Sequence, residues 1–464
     1  MKLKVTVPHG FLAERCYIAD ILLKEFLGLD YDIEHSLDTK SVKISNSENT
    51  KGLSFPDLFF SMDESDWLKE RSLPKEPLKT LDGSFFPGNP TLCSNSVPVI
   101  YGTDDKVSVL KESISLPIDI FGSAFFMLSR YEEVVRKDRD NHNRFPASAS
   151  LAFREKFLNR PVINEYLEIL WCCLKTLFPD ILRKERKFKM VLSHDVDRPF
   201  KYLNMSLITL SKIVAADLIK RNSLKKASEG VKNYIAVKMG KIKKDPFYTF
   251  DFIMDLSEKA GLKSCFYFIS DSSGNKINCD YSINDPEIIS LMKKIHDRGH
   301  EIGLHPGYET FNDPEKLKNE FVKLKNVCAE NGIIQDKWGA RQHYLRFHVP
   351  ETWRYMSEAG INYDSSIGFA DYVGFRSGIC YDYPVYDVVQ REPLDITERP
   401  LIVMECTIID SKYMNMGHSA LTENTLKKLK ETVKLFGGNF TILWHNHRFC
   451  IEKEADIFSK VIEE

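Results

Sequence analysis

Two aspartates one residue apart, Asp195 and Asp197, close the run Met190-Val-Leu-Ser-His-Asp-Val-Asp197. Met190–Ser193 predicts a buried strand. Alternation sends side chains two apart to one face, so such a strand delivers both carboxylates to its C-terminal end. Carboxylates placed there serve as metal ligands or general bases. A polar loop with Asp197 capping the next element accounts for the pair equally well when it is taken alone. Other strand ends repeat the theme. His305 ends His300-Glu-Ile-Gly-Leu-His305. Arg341 and His343 lie in Trp338–His343, with Tyr344 and Arg346 just beyond. Asp364 ends Ile361-Asn-Tyr-Asp364, and His445 ends Phe440-Thr-Ile-Leu-Trp-His445, followed by His447. Singly, His445 reads as a core histidine and Arg341 as a salt-bridge partner. Recurrence at corresponding positions favours one shared functional site over separate structural roles. His300-Glu301 with His305 is not a zincin motif. HExxH needs histidines at i and i+4 on a helix, and here they are five apart on a strand, so His300 is structural.

These residues need a scaffold that brings strand ends together. From Phe247 onward helices and strands alternate: helix 248–259, strand 264–269, helix 286–298, strand 300–305, helix 314–330, strand 338–343, helix 351–359, strand 361–364, strand 401–405, helix 422–435 and strand 440–445. With the strand at 190 that makes about seven. The alternation predicts a parallel sheet with right-handed crossovers, which most naturally closes into a (β/α) barrel with all strand C-termini at one mouth.

The rest of the chain is less explicit. Residues 3–8, a helix over 14–27 ending at Gly28, and a strand over 31–34 open it as a small βαβ-like unit. Asp119–Glu133 predicts a deeply buried helix and Asn164–Phe178 a second. The loop Arg139-Asp-Asn-His-Asn-Arg-Phe-Pro146 is either a ligand pocket built on Arg139, Asp140, His142 and Arg144 or a salt-bridged packing loop. A basic connector at 184–189 sets the expected boundary between an N-terminal α/β domain, 1–187, and a second domain, 188–464. Between Arg198 and Lys244 stand twelve Lys/Arg against two acids, Asp217 and Glu229. With helical apolar spacing this predicts an inserted basic helical arm at about 198–246. It is either a solvated lid or a contact for an anionic substrate carrier or membrane surface.

Composition sets the outer limits. A chain of 464 residues, 43% hydrophobic and 28% charged, is a soluble globular protein of two or three domains. A net charge of −2 argues against a general nucleic-acid binder. No apolar run is long enough to span a bilayer, and residues 1–8 lack the apolar core of a signal peptide. Ten cysteines without a CxxC pair predict reduced thiols and a cytoplasmic location.

The motif residues resemble those of the polysaccharide deacetylases of carbohydrate esterase family four, the NodB-like fold. Ser193-His-Asp-Val-Asp197 is similar to the family's aspartate motif, Gly299-His-Glu-Ile-Gly-Leu-His305 to its GHEIGNH-like motif, Arg341 in Gly339-Ala-Arg-Gln-His-Tyr-Leu-Arg-Phe347 to its arginine, and Leu443-Trp-His445 to its final histidine. The order agrees over residues 188–447. The N-terminal half looks like the uncharacterised domain that precedes this catalytic domain in some bacterial members. The resemblance implies a distorted barrel that removes an N-acetyl group from a sugar. Asp197 and His305 would hold a divalent cation, Asp195 would be the base, Arg341 would hold Asp195, and His445, helped by Asp364, would be the acid. Glu309 stands where the family has a second histidine. As a third ligand it would leave one imidazole and two carboxylates, so Mn2+, Mg2+, Fe2+ or Co2+ join Zn2+ as candidates; pointing away, with Pro306-Gly307 breaking the helical spacing, it would leave the cation two protein ligands, and the site would be weak or no longer that of a hydrolase. Expected partners are an acetylated sugar, a nucleotide sugar or a lipid-linked glycan, with peripheral membrane contact through 198–244. The other readings are a catalytically inactive carbohydrate-binding protein and a small-amide hydrolase.

Overall fold

The computed structural model describes residues 1–271 and 277–463. The chain is a mixed α/β protein that divides into two compact units. Unit 1 comprises Met1–Lys189, Leu345–Val403 and Lys427–Phe440, and unit 2 comprises Met190–Tyr344, Met404–Leu426 and Thr441–Glu464. The units therefore interleave along the chain rather than meeting at a single cut.

Unit 1 opens as expected. Strand Leu3–Pro8 pairs in parallel with Tyr31–Ser36, in register Leu3↔Tyr31, across a helical connection. Ser41–Ser45 and Gly52–Pro56 extend the sheet antiparallel on the other side of Leu3–Pro8. The apolar helix Ile120–Leu128 is buried at every position. The expected helix 119–133 is broken at Arg130, which takes a left-handed φ of 53°, and it resumes at Tyr131–Val135. Buried ion pairs tie the core. Glu133 is held by Arg130 at 2.8 Å and by Arg376 at 2.5 Å, and Arg15 meets Asp57 at 2.6 Å. The loop at 139–146 is the salt-bridged alternative: Asp140 accepts from the backbone N–H groups of His142 and Arg144 and from the Arg144 guanidinium. Arg346 Nε in turn donates to the His142 carbonyl.

Unit 2 carries the strands that matter for chemistry. Hydrogen-bonded order runs Gly339–Ala340, Glu301–Leu304, Ser264–Phe268, Lys189–Val196, Asn439–Leu443. The first four are mutually parallel, each linked to the next by a connection that contains a helix, among them Phe250–Lys259, Pro286–Asp297 and Pro314–Glu330. Apolar residues at helical spacing put one face of each helix in the core (Ile253 and Met254, Ile288 and Met292, Phe321 and Leu324). All seven strand positions expected from sequence carry a strand, although three are only two residues long: Gly339–Ala340, Tyr363–Asp364 and Val403–Met404. Among the described residues all ten cysteines are free thiols, and no helix is long and apolar enough to cross a membrane.

Candidate metal centre and active site

Three neighbouring strands set the floor of the site. Their register places Asp195, Tyr267 and Gly303 side by side. The missing side chain at 303 is required, because a Cβ there would lie 2.4 Å from a ring carbon of Tyr267. The Tyr267 ring takes that space, and the Arg341 guanidinium lies over it at 4.8 Å from the centroid. Arg341 Nη1 donates to Ser193 Oγ at 2.7 Å and lies 3.4 Å from Asp195 Oδ1. Ser193 and Asp195 share a face because they are two apart on a strand. His194, between them, faces the other way. Its Nδ1 lies 2.6 Å from the Trp444 carbonyl oxygen, and burial pushes its pKa down to about 3, so it is a neutral core histidine.

Beyond the strand end, Asp197, His305 and His343 each offer one ligand atom, and these atoms lie within 4.8 Å of one another. Asp197 Oδ1 is 3.3 Å from His305 Nε2 and 3.8 Å from His343 Nε2. His305 Nδ1 is hydrogen-bonded to the Arg341 carbonyl oxygen, which fixes the ring and turns Nε2 toward Asp197. His343 is placed by its backbone N–H, which donates to the Pro306 carbonyl at 3.2 Å, and by a sharp turn in which Tyr344 and Leu345 take left-handed φ of 61° and 53°.

The residues fit a divalent cation. Among the described residues, buried Asp197 Oδ1 makes no well-aligned hydrogen bond beyond its 3.3 Å contact with His305 Nε2, and a cation there would satisfy it. Burial holds His343 neutral by pushing its pKa down to about 3, which leaves an imidazole lone pair available. Burial alone would raise the Asp197 carboxyl, but the imidazoles of His343, His305 and His445 outweigh it and hold the carboxylate ionised. Burial likewise opposes charge on His305, yet the carboxylates of Asp195 and Asp197 raise its pKa, so a cation held there would compete with a proton. Two imidazoles and one carboxylate form a donor set that suits Zn2+, and also Fe2+, Co2+ and Mn2+.

The third member of this set is His343, not Glu309. Glu309 is exposed and immediately precedes the short helical turn Thr310–Asn312. The i, i+4 spacing from His305 brings side chains together only on a helix, and Pro306-Gly307 leads the chain away before that turn begins. The sequence named His343 as a strand-end residue without giving it this role.

His445 stands on the other side of Asp197, with Nε2 3.6 Å from Asp197 Oδ2. Its Nδ1 lies 2.5 Å from Glu405 Oε1, and that oxygen also accepts the His445 backbone N–H at 3.2 Å. Burial disfavours charge on His445, but the facing Glu405 carboxylate overrides it and holds the imidazole pKa well above its usual value. Burial would likewise raise Glu405; His445 holds it down at about 2 instead. Cys406 lies against the pair, and burial pushes its pKa up to about 12, so it stays a thiol. Glu405, Cys406 and His445 thus form one hydrogen-bonded cluster, with the Cys406 thiol also donating to Glu405 Oε1 at 3.3 Å.

This arrangement corrects the role expected of Asp364. That residue belongs to unit 1, where Ser366 Oγ donates to it at 2.5 Å. Burial first, and then Asp364, raise the neighbouring Glu398 carboxyl well above its usual value. The acid that serves His445 is Glu405. Glu405 ends the expected strand 401–405, the same strand-end position that marks the other site residues in the sequence. His300 is structural as expected: its buried Nδ1 accepts the Ser264 N–H at 3.0 Å.

Residues 3–179 match the model of a protein family described as a family of unknown function, DUF7033. No curated protein matches the chain. Among solved structures, one described as a polysaccharide deacetylase from Mycobacterium smegmatis aligns at 12% identity and TM-score 0.39. One described as Puue allantoinase aligns at 12% and 0.36. One described as a polysaccharide deacetylase from Pseudomonas aeruginosa PAO1 aligns at 13% and 0.36. Each alignment covers 60% of this chain and 84% of the other.

Proposed function

We propose that the protein is a metal-dependent hydrolase that removes an N-acetyl group from a sugar in surface polysaccharide metabolism, with residues 188–464 as a NodB-like distorted barrel. The support is one juxtaposition: Asp197, His305 and His343 within 4.8 Å of one another, with Asp195 3.6 Å from His305 on one side and His445 3.6 Å from Asp197 on the other. A divalent ion held by Asp197, His305 and His343 would polarise the acetamide carbonyl and make a coordinated water acidic.

The chain's own groups do the rest. Asp195 takes a proton from the attacking water. Arg341, fixed between Ser193 and the Tyr267 ring, keeps that carboxylate oriented. As the C–N bond breaks, His445 gives its proton to the leaving nitrogen, so the products are acetate and a free amine. Glu405 keeps His445 charged until that step and aims Nε2 at the reacting centre. Tyr308 and Tyr344 pack edge to face at 5.4 Å, and Tyr344 also packs against His343; Tyr344 is exposed and Tyr308 half-buried, which leaves aromatic surface for a sugar to stack on.

The substrate is proposed to be a nucleotide sugar or a lipid-linked glycan. The experiment strips the protein with a chelator, reloads it with Zn2+, Mn2+ or Co2+, and measures acetate release from a panel of N-acetylated sugars. Cation-dependent acetate release is expected. A protein that binds no divalent ion, and whose Asp197→Ala variant binds sugar like the wild type, is a carbohydrate-binding protein instead. Turnover of cyclic or linear amides but not sugars makes it a small-amide hydrolase.

A further inference from the structure

We infer that the helical hairpin Leu207–Lys238 is a docking arm that lays its tip, residues 218–226, on an anionic lipid surface. The hairpin consists of helices Leu207–Ile219 and Leu224–Lys238. They pack together through Leu210, Tyr234 and Val237, with Tyr202 at the base and Val214 alongside. That cluster uses one side of the first helix only. Leu207, Ile208, Leu218 and Ile219 on the first helix, and Leu224 at the start of the second, remain exposed.

A single exposed leucine is ordinary on a protein surface. The tip is different in kind. Ile219 is 81% exposed and Leu224 78%, and they flank a four-residue turn. Lys220, Arg221, Lys225 and Lys226 surround them. Of these only Arg221 has an acidic partner in the hairpin, Asp217 at 2.5 Å; Lys220, Lys225 and Lys226 make no ion pair among the described residues. From 207 to 238 there are seven Lys/Arg against Asp217 and Glu229.

Apolar side chains at a convex turn, ringed by cations, match the two layers of a bilayer surface. The apolar groups enter the headgroup–acyl boundary while the cations meet lipid phosphates. A nucleic acid would use the cations but gain nothing from Ile219 and Leu224 pointing into solvent.

Hydrogen bonds tie down the base of the arm. The Asn446 side-chain amide donates to the carbonyls of Arg198 and Phe247, at 3.0 Å each, so one residue fastens both feet. Asp245 accepts the backbone N–H groups of Lys201 and Tyr202, at 2.8 and 2.7 Å. Asn446 follows His445 directly, and Arg198 follows Asp197. The base of the arm therefore adjoins the residues beside the candidate site. This inference stands apart from the proposed reaction, because lipid binding needs neither the cation nor turnover.

The test is co-sedimentation of the full chain with vesicles of phosphatidylcholine alone and of phosphatidylcholine with phosphatidylglycerol. Binding only to the anionic vesicles, weakened by salt, is expected. The double variant Ile219→Asp/Leu224→Asp should bind at least about tenfold more weakly with unchanged circular dichroism. Lys225→Glu/Lys226→Glu should do the same without touching an apolar residue. Equal binding by all three proteins, no binding to anionic vesicles, a dimer in solution that the double variant abolishes, or tighter binding to DNA or RNA than to vesicles would each overturn the inference.

Discussion

Glu405 Oε1 lies 2.5 Å from His445 Nδ1, and this contact decides which nitrogen of the imidazole faces Asp197. It also decides the charge. A buried imidazole loses its proton easily unless a carboxylate opposes the loss, and Glu405 is that carboxylate. The general acid of the proposed reaction is thus one half of a buried ion pair.

Glu405→Gln keeps the shape of the contact and removes its charge. The His445 pKa, now raised, falls. The acid form then disappears at lower pH, so the alkaline limb of the pH–rate profile moves toward acid. We expect kcat to drop by about 10²–10⁴-fold, the usual worth of a general acid, with little change in cation affinity. An unshifted profile in Glu405→Gln counts against His445 as the acid.

Gly303→Ala tests the floor of the site. The added Cβ meets the Tyr267 ring at 2.4 Å, so the ring must move and the Arg341 guanidinium loses its support. Overpacking of this kind costs about 1–3 kcal/mol. A lower midpoint in denaturant together with reduced kcat, at unchanged cation content, is the expected result. A variant with wild-type stability would show that the ring accommodates the methyl group.

Glu320 supplies a pH signature of stability. It is buried behind the His305-Pro-Gly307 turn, where its Oε2 accepts the Gly307 N–H at 2.9 Å, and burial pushes its pKa up to about 8. In the unfolded chain it titrates near about 4.3. Between these values the native state holds more protons than the unfolded state, so its contribution to stability is complete at low pH and declines until pH passes about 8. The slope from this one group is at most about 1.4 kcal/mol per pH unit. Glu320→Gln should flatten that part of the stability–pH curve, measured by denaturant melts from pH 5 to pH 8.5. A curve parallel to the wild type would mean that Glu320 is ionised in the native state.

What was legible in the sequence follows from which signals are periodic. The strands at 190, 264, 301 and 440 are apolar runs with polar ends, so Asp195, Asp197, His305 and His445 could be placed before any coordinates. The opening βαβ-like unit and the helical arm were legible for the same reason. His343 was harder to assign. Its strand is only Gly339–Ala340, and it reaches the site through a turn built on left-handed Tyr344 and Leu345, which no alternation pattern encodes. Glu309 misled because i, i+4 spacing means proximity only on a helix. Asp364 misled because a strand-end acid looks the same whether it faces a histidine or, as here, adjoins a second buried carboxyl group, Glu398. The interleaving of the two units was hidden for a related reason: which segments pack together is a long-range property, and the basic connector at 184–189 marks only one of the crossings.

The central claim is a cation gripped by Asp197, His305 and His343. Its most direct test is divalent-metal content by elemental analysis, with calorimetric titration of the chelator-stripped protein, in the wild type and in His343→Ala and Glu309→Ala. The account predicts one tightly held ion per chain in the wild type and in Glu309→Ala. In His343→Ala the affinity should fall by more than the roughly 10–100-fold that loss of a mere supporting partner costs. A wild type that takes up no divalent ion, or a His343→Ala protein that holds it as tightly as before, would contradict the claim.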